Sequence, residues 1–136
     1  MAVRKVYVTK RMTFEACHNL NNYEGKCSRK HGHSYKLEVT FVGGVDTESI
    51  NSETPATDAM VIDFSEIKKV ISEKVVSLYD HSDLNAYFYQ PTAEAMVVDI
   101  FDTLVQSIGN TDYSVYSVKL WETEDSYAEY RGEYID

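Results

Sequence analysis

Three of the four histidines lie close together, at His18, His31 and His33. His31 and His33 are separated by one residue at the start of a segment with strand-like alternation. Side chains at i and i+2 of a strand share a face, with α-carbons about 6.6 Å apart at about 3.3 Å per residue. Two imidazoles can then converge on one ion, and His18 can supply a third nitrogen if its strand pairs with theirs. Three neutral imidazoles favour zinc and leave a fourth position open for catalysis; the alternative interpretation is a polar strand face.

A cysteine close to these histidines is the second group that could do chemistry. Cys27 lies four residues before His31, in a segment with three nearby cations, Lys26, Arg29 and Lys30. Nearby positive charge favours the thiolate, which is the form that acts as a base or nucleophile. The alternative is a structural zinc site in which Cys27 is the fourth ligand beside the histidines.

Two further groups could handle protons or bind a ligand. Asp80 directly precedes His81, and a hydrogen bond between them would fix the imidazole tautomer and make the pair a proton shuttle. Glu122 continues an apolar strand face, so its carboxylate would face the buried side and need a partner, such as a heterocycle edge with two N–H donors. The alternatives are a surface-loop histidine and a strand-end glutamate that turns out to solvent.

Strands around two helices are expected to hold these residues. Enrichment in β-branched and aromatic residues predicts strands over 3–9, 12–18, 33–42, 113–122 and 127–134. One helix should begin after an Asp63 N-cap, and a second should begin near Pro91-Thr92 and end at Gly109-Asn110. Residues 43–59 are predicted to form a long loop or hairpin tip. This order indicates an α+β fold, an antiparallel sheet with both helices on one face.

The apolar stripes of these elements are expected to face the core. They are Tyr35, Leu37, Val39 and Phe41; Tyr116, Val118 and Leu120; Ile67, Val70, Ile71, Val75 and Leu78; and Val97, Ile100, Phe101, Leu104, Val105 and Ile108.

Length and charge limit the possible partners. A chain of 136 residues with 43% apolar residues fits a single domain over 1–136. The net charge of −9 argues against nucleic acid and anionic membranes as partners. The N-terminus lacks the apolar core of a signal peptide, and no apolar run approaches transmembrane length, so the cytosol is the expected compartment. There Cys17, which neighbours His18 on a strand and should point to the opposite face, is expected to be an ordinary buried thiol.

Six short motifs resemble one enzyme family. They are FEACH (14–18), GKCSRKHGHSY (25–35), VIDF (61–64), DHSDLN (80–85), PTAE (91–94) and WET (121–123). In this order, over nearly the whole chain, they resemble the 6-pyruvoyltetrahydropterin synthase/QueD family. The short C-x-x-x-H-G-H spacing is similar to that of its 6-carboxy-5,6,7,8-tetrahydropterin synthase branch, which serves queuosine (7-deazaguanine) biosynthesis.

The resemblance implies a fold and a set of residue roles. The fold would be the tunnelling fold, a four-stranded antiparallel sheet with two helices on one face, which oligomerises as a trimer or hexamer into a β-barrel with active sites between subunits. The implied roles are zinc on His18, His31 and His33; Cys27 as proton-abstracting base; Asp80 and His81 as a relay; Glu122 as pterin anchor; and Thr92 as a contact to the pterin ring.

The implied reaction converts 7,8-dihydroneopterin triphosphate to 6-carboxytetrahydropterin, with release of acetaldehyde and triphosphate. The first alternative stops at 6-pyruvoyltetrahydropterin after elimination of triphosphate. An alternative of another class is a non-catalytic zinc-binding oligomer. Lys26, Arg29 and Lys30 could contact the triphosphate or form an ordinary solvated charge run.

Overall fold

A five-stranded sheet forms the base of the molecule in the computed structural model, which describes residues 2–136. Its strands are β1 (Val3–His18), β2 (His31–Asp46), β3 (Ser82–Asp83), β4 (Tyr113–Thr123) and β5 (Ser126–Tyr130). Their order is β3-β1-β2-β4-β5, with antiparallel pairing throughout except for the parallel pair β3–β1. The α+β class is confirmed, but the prediction of four antiparallel strands is wrong. The fifth strand, β3, has only two residues, which is too short for an alternation pattern.

The β1–β2 hairpin is longer than predicted. Residues 3–9 and 12–18 belong to one continuous strand. Polar cross-strand pairs on its exposed face keep it paired with β2 at residues 10 and 11, where a break was predicted. Arg11 Nη2 lies 3.0 Å from Glu38 Oε2, and the hydroxyls of Thr9 and Thr40 are 2.7 Å apart. The predicted loop over 43–59 is also wrong in part, since β2 extends to Asp46 and 3₁₀ helices cover Thr47–Asn51 and Ala56–Ala59.

The first helix changes its winding part of the way along. The segment α1 (Phe64–Ile71) passes through a π-helical turn (Ser72–Val76) into α2 (Ser77–Tyr79). The predicted N-cap is confirmed, because Asp63 Oδ1 accepts from the Ser65 N–H at 2.8 Å. Leu78 is not part of the core stripe: it is 46% exposed and Tyr79 is 4% exposed, because the wider π turn shifts the helical phase by one residue.

The second long helix, α3 (Ala93–Ile108), follows its prediction closely. Thr92 Oγ1 caps it by accepting from the Ala95 N–H at 3.0 Å, and Gly109 ends it with a left-handed φ of 59°. Val105 is the exception in the predicted stripe, because it lies one residue beyond the buried Leu104 and faces solvent. Within residues 2–136, no helix combines the length and apolar character needed to cross a bilayer.

Both helices pack on the same face of the sheet and close one core. The predicted β2 stripe is confirmed, with Tyr35, Leu37 and Val39 fully buried. The β4 stripe is wrong at Tyr116, because the pairing with β2 jumps from Ser117 to Val115 and makes Tyr116 the extra residue of a bulge. Tyr116 packs instead on Tyr7, with ring centroids 4.6 Å apart.

Candidate metal centre

The hairpin register brings the three histidines of the sequence pattern together. His18 pairs with His31, and Ala16 pairs with His33, so all three imidazoles share the face that carries the core. Their ring centroids are 4.7 to 5.0 Å apart, with neighbouring planes nearly perpendicular. One ligand atom from each of His18, His31, His33 and Glu122 lies within 4.8 Å of the others, and we call these four residues the metal group.

Glu122 reaches the metal group from β4. Its Oε1 lies 3.1 Å from His33 Nε2 and 3.9 Å from His18 Nε2. The side chain is 28% exposed, so the carboxylate faces the imidazoles rather than open solvent. A carboxylate and three imidazoles form a mixed N/O donor set of the kind that Zn²⁺ accepts.

Hydrogen bonds to the outer nitrogens orient two of the rings. His31 Nδ1 lies 2.6 Å from the Arg29 carbonyl oxygen, and His18 Nδ1 lies 3.0 Å from the Tyr35 hydroxyl. A carbonyl only accepts, so His31 donates from Nδ1, and the neutral form of this ring has its lone pair on Nε2. Such contacts on the nitrogen remote from the metal fix the tautomer and ring direction of metal-binding histidines.

Burial keeps the deeper imidazoles neutral. Desolvation lowers the pKa of His18 and of His33 below the ordinary value of 6.5, and the Glu122 carboxylate opposes this shift in both. His33 Nε2 is fully buried and, although Glu122 Oε1 lies 3.1 Å away, it makes no hydrogen bond within residues 2–136. An unpaired buried nitrogen is costly without a partner, and a metal ion would supply one. The residues present therefore fit a zinc ion.

Cys27 lies in the loop that connects β1 and β2, outside the metal group. It occupies a 3₁₀ turn, Lys26–Ser28, where the side chain is half-buried and free of disulfide pairing. Of the three cations around it, Lys30 forms an ion pair with Asp83. The fourth donor close to the histidines is thus Glu122 rather than the cysteine.

Asp80 and His81 form the hydrogen bond that a proton shuttle between these neighbouring residues would require. Asp80 Oδ2 lies 3.0 Å from His81 Nδ1, and Oδ1 accepts from the Glu15 N–H at 2.9 Å. These bonds, the one from Glu15 foremost, lower the pKa of Asp80. His81 has a φ of 60° and a side chain that is 79% exposed. The pair lies beside β3 at the edge of the sheet and is not part of the metal group.

An open cleft lies beside this pair. Its lining includes Cys17, His33, Ser34 and His81, and its volume is about 460 Å³. Cys17 faces away from the buried His18, as the strand alternation predicts, but its thiol is half-buried rather than buried.

Thr92, the last of the predicted site residues, and two unpredicted amide side chains lie in the segment that follows β3, and both amides contact the loop that follows β1. Thr92 follows Pro91, whose carbonyl oxygen faces His18 and acts to raise its pKa. Two side-chain amides act as backbone mimics: Asn85 exchanges a pair of hydrogen bonds with the Asn19 backbone at 2.8 and 3.0 Å, and Gln90 exchanges a pair with the Asn21 backbone at 2.8 and 2.6 Å. Sequence reasoning missed both amides, because a loop amide has no periodicity that would reveal its partner.

Comparison with known proteins gives a consistent result. The family model described as 6-pyruvoyl tetrahydropterin synthase matches residues 7–133. A 6-carboxy-5,6,7,8-tetrahydropterin synthase of Haemophilus influenzae is 30% identical, over 91% of this chain and 97% of its own. The 6-pyruvoyl tetrahydrobiopterin synthase of Homo sapiens is 33% identical, over 93% of this chain and 91% of its own. The structure of Caenorhabditis elegans 6-pyruvoyl tetrahydropterin synthase superposes with a TM-score of 0.78 at 26% identity, covering 96% of this chain and 97% of that one.

Proposed function

Since the chain belongs to the 6-pyruvoyl tetrahydropterin synthase family, we propose that it is a zinc-dependent 6-carboxy-5,6,7,8-tetrahydropterin synthase. Its substrates would be 7,8-dihydroneopterin triphosphate and water, and its products 6-carboxytetrahydropterin, acetaldehyde and triphosphate. The observation that carries the proposal is the metal group. One ligand atom from each of its three imidazoles and its carboxylate lies within 4.8 Å of the others, and His33 Nε2 is buried without a hydrogen bond.

The metal chemistry in this proposal is that of a Lewis acid. A zinc ion held by His18, His31 and His33 would acidify the hydroxyl groups of the substrate side chain and the adjacent C–H bonds. The histidines themselves act as neutral donors, which the lowered pKa values of His18 and His33 permit at neutral pH.

Glu122 is the proposed anchor of the pterin ring. The ring presents two adjacent N–H donors, and a carboxylate can accept both in a bidentate pair. Glu122 Oε1 lies 3.1 Å from His33 Nε2, so this carboxylate lies directly beside the metal group. Thr92, which directly follows Pro91 beside His18, is the proposed further contact to the ring.

Cys27, Asp80 and His81 are the proposed proton-transfer groups. Cys27 would remove a proton from the substrate side chain, and His81, held by Asp80, would shuttle another. Because Asp80 and His81 lie outside the metal group of their own chain, we propose that they serve a site shared with a second copy, in a trimer or a pair of trimers. We keep the cytosol as the proposed location.

Product analysis tests the proposal. The zinc-loaded protein is incubated with 7,8-dihydroneopterin triphosphate, and acetaldehyde, triphosphate and the pterin product are quantified. Acetaldehyde and triphosphate in equal amounts are expected. The Cys27→Ala variant should keep its zinc and lose turnover, whereas Cys17→Ala, the matched control at the other cysteine, should retain turnover.

Because the relatives include both carboxy- and pyruvoyl-forming synthases, the pyruvoyl-forming reaction is the second candidate function. The human relative is named a 6-pyruvoyl tetrahydrobiopterin synthase, so elimination of triphosphate without loss of acetaldehyde is the alternative reaction. Triphosphate release with no acetaldehyde would select it. Zinc binding with no turnover of any kind would refute the enzyme proposal and leave a non-catalytic zinc-binding oligomer.

A further inference from the structure

Tyr35 places a hydroxyl group at the base of the metal group, inside the core. Its side chain is fully buried, and its ring stacks on Phe14 with centroids 4.9 Å apart and planes 14° from parallel. A phenylalanine would satisfy the same packing. The hydroxyl has one hydrogen-bond partner among the described residues, His18 Nδ1 at 3.0 Å. Because a buried hydroxyl contributes little net stability, this contact calls for a reason other than packing.

The direction of this hydrogen bond decides whether His18 can bind a metal. A neutral imidazole carries one proton, on either Nδ1 or Nε2. His18 Nε2 is the nitrogen that faces Glu122 and the other members of the metal group. If the Tyr35 hydroxyl accepts a proton from Nδ1, the Nε2 lone pair points into the metal group. If the hydroxyl instead donates to Nδ1, Nε2 carries a hydrogen and cannot be a ligand.

We propose that Tyr35 is a positioning residue of the metal centre, whose hydroxyl oxygen accepts the Nδ1–H of His18 and so directs the Nε2 lone pair toward the metal. It has the role for His18 that the Arg29 carbonyl has for His31. The inference rests on the proposed zinc site but not on the proposed reaction.

The test compares two tyrosine-to-phenylalanine variants for zinc affinity. Tyr35→Phe keeps the ring and its stacking on Phe14 while removing the acceptor. Tyr79→Phe is the matched control: Tyr79 is 4% exposed, and its hydroxyl donates to Asp99 Oδ2 at 2.7 Å, away from the metal group. Loss of an outer hydrogen-bond partner typically weakens metal binding by about 10–100-fold, so Tyr35→Phe should show this loss and Tyr79→Phe should not.

Zinc dissociation constants are measured by competition with a chromophoric chelator, after urea unfolding has shown that each zinc-free variant is folded. A visible spectrum of the Co²⁺-substituted protein provides a second readout, which should change in Tyr35→Phe alone. A Tyr35→Phe dissociation constant within twofold of the wild-type value would overturn the inference. Failure of the wild-type protein itself to bind zinc would instead overturn the proposed metal site.

A measurement on the unaltered protein keeps the test independent of folding in the variant. Long-range ¹H–¹⁵N NMR of the zinc-loaded protein reports which nitrogen of His18 carries the proton. A protonated Nδ1 with a slowly exchanging hydrogen is expected. A His18 ring bound through Nδ1, or one with its proton on Nε2, would refute the assignment of Tyr35 as its acceptor.

Discussion

Replacing His33 with alanine should separate the stability of the zinc-loaded protein from that of the zinc-free protein. When no metal ion is bound, His33 Nε2 would be buried without a hydrogen bond, a defect that costs about 1–3 kcal/mol. Removing the ring also removes packing, since the side chain is only 16% exposed, and the lost burial is of the same order, about 1–2 kcal/mol. The two effects oppose each other, so the zinc-free variant should melt within about 5 °C of the wild type.

The zinc-loaded proteins should differ far more. Zinc binding worth about 10–16 kcal/mol, shared by four ligands, assigns about 3–4 kcal/mol to each, or about 10²–10³-fold in affinity. At free zinc of 100 times the wild-type dissociation constant, the wild type gains about 2.7 kcal/mol and the variant about 0.4 kcal/mol or less. For a chain of this size, that difference corresponds to about 10 °C in Tm.

Thermal unfolding with and without zinc, followed by circular dichroism, measures both quantities. His81→Ala is the matched control, because the same substitution is made at a histidine that is exposed and outside the metal group. It should retain the full zinc-dependent rise in Tm. The reasoning is refuted if His33→Ala keeps that rise, or if His81→Ala loses it.

Three further predictions concern the same region. Glu122→Gln should weaken binding of a non-reacting pterin by about 10–100-fold, since it removes one charge-assisted hydrogen bond worth about 1.5–3 kcal/mol; an unchanged dissociation constant by fluorescence titration would contradict the anchoring role. The zinc-free protein should lose stability as pH falls below about 6.5, because the pKa values of His18 and His33 are lowered in the folded state and the unfolded chain therefore binds more protons at these two residues. Urea unfolding at pH 7.5 and 5.5 should show a smaller loss of unfolding free energy in His33→Ala than in the wild type. Equal losses would contradict the lowered pKa of His33. Gln90→Ala should destabilise the fold by about 1–3 kcal/mol, because two hydrogen bonds to the Asn21 backbone are lost; unfolding free energies within 0.5 kcal/mol, roughly the scatter of ordinary surface substitutions, would show that this loop connection is unimportant.

Local periodicity predicted the parts of the fold that depend on one element at a time. The alternation of β2 identified its buried face, and the caps of α3 identified its ends, because each signal is complete within a few residues. The wrong predictions lie where the conformation of an element depends on its packing or pairing with another element. Leu78 is exposed because of a π turn, Tyr116 because of a bulge against β2, and β3 exists only through its pairing with β1.

The same distinction applies to the candidate site. The spacing of His31 and His33 predicted convergence, and pairing of β1 with β2 supplied His18 as expected. The position of Glu122 beside His33 could be anticipated only as an inward carboxylate, since its distance from the imidazoles depends on the β2–β4 register. The Tyr35–His18 contact was hidden because a tyrosine within an apolar stripe has the sequence signature of an ordinary core residue.

The core and the three histidines depend on the same β1–β2 register. Phe14 pairs with Tyr35 two positions before the point where Ala16 pairs with His33, and four before His18 pairs with His31. A slip of one residue would move the side chains of one strand to the opposite face and separate His18 from His31 and His33. The stacking of Phe14 on Tyr35 resists that slip, because it buries two large rings in the one register that also aligns the histidines. The arrangement of the three histidines is therefore set by the same hairpin packing that forms the core. It follows that substitutions weakening the Phe14–Tyr35 stack should reduce zinc affinity even where they touch no ligand.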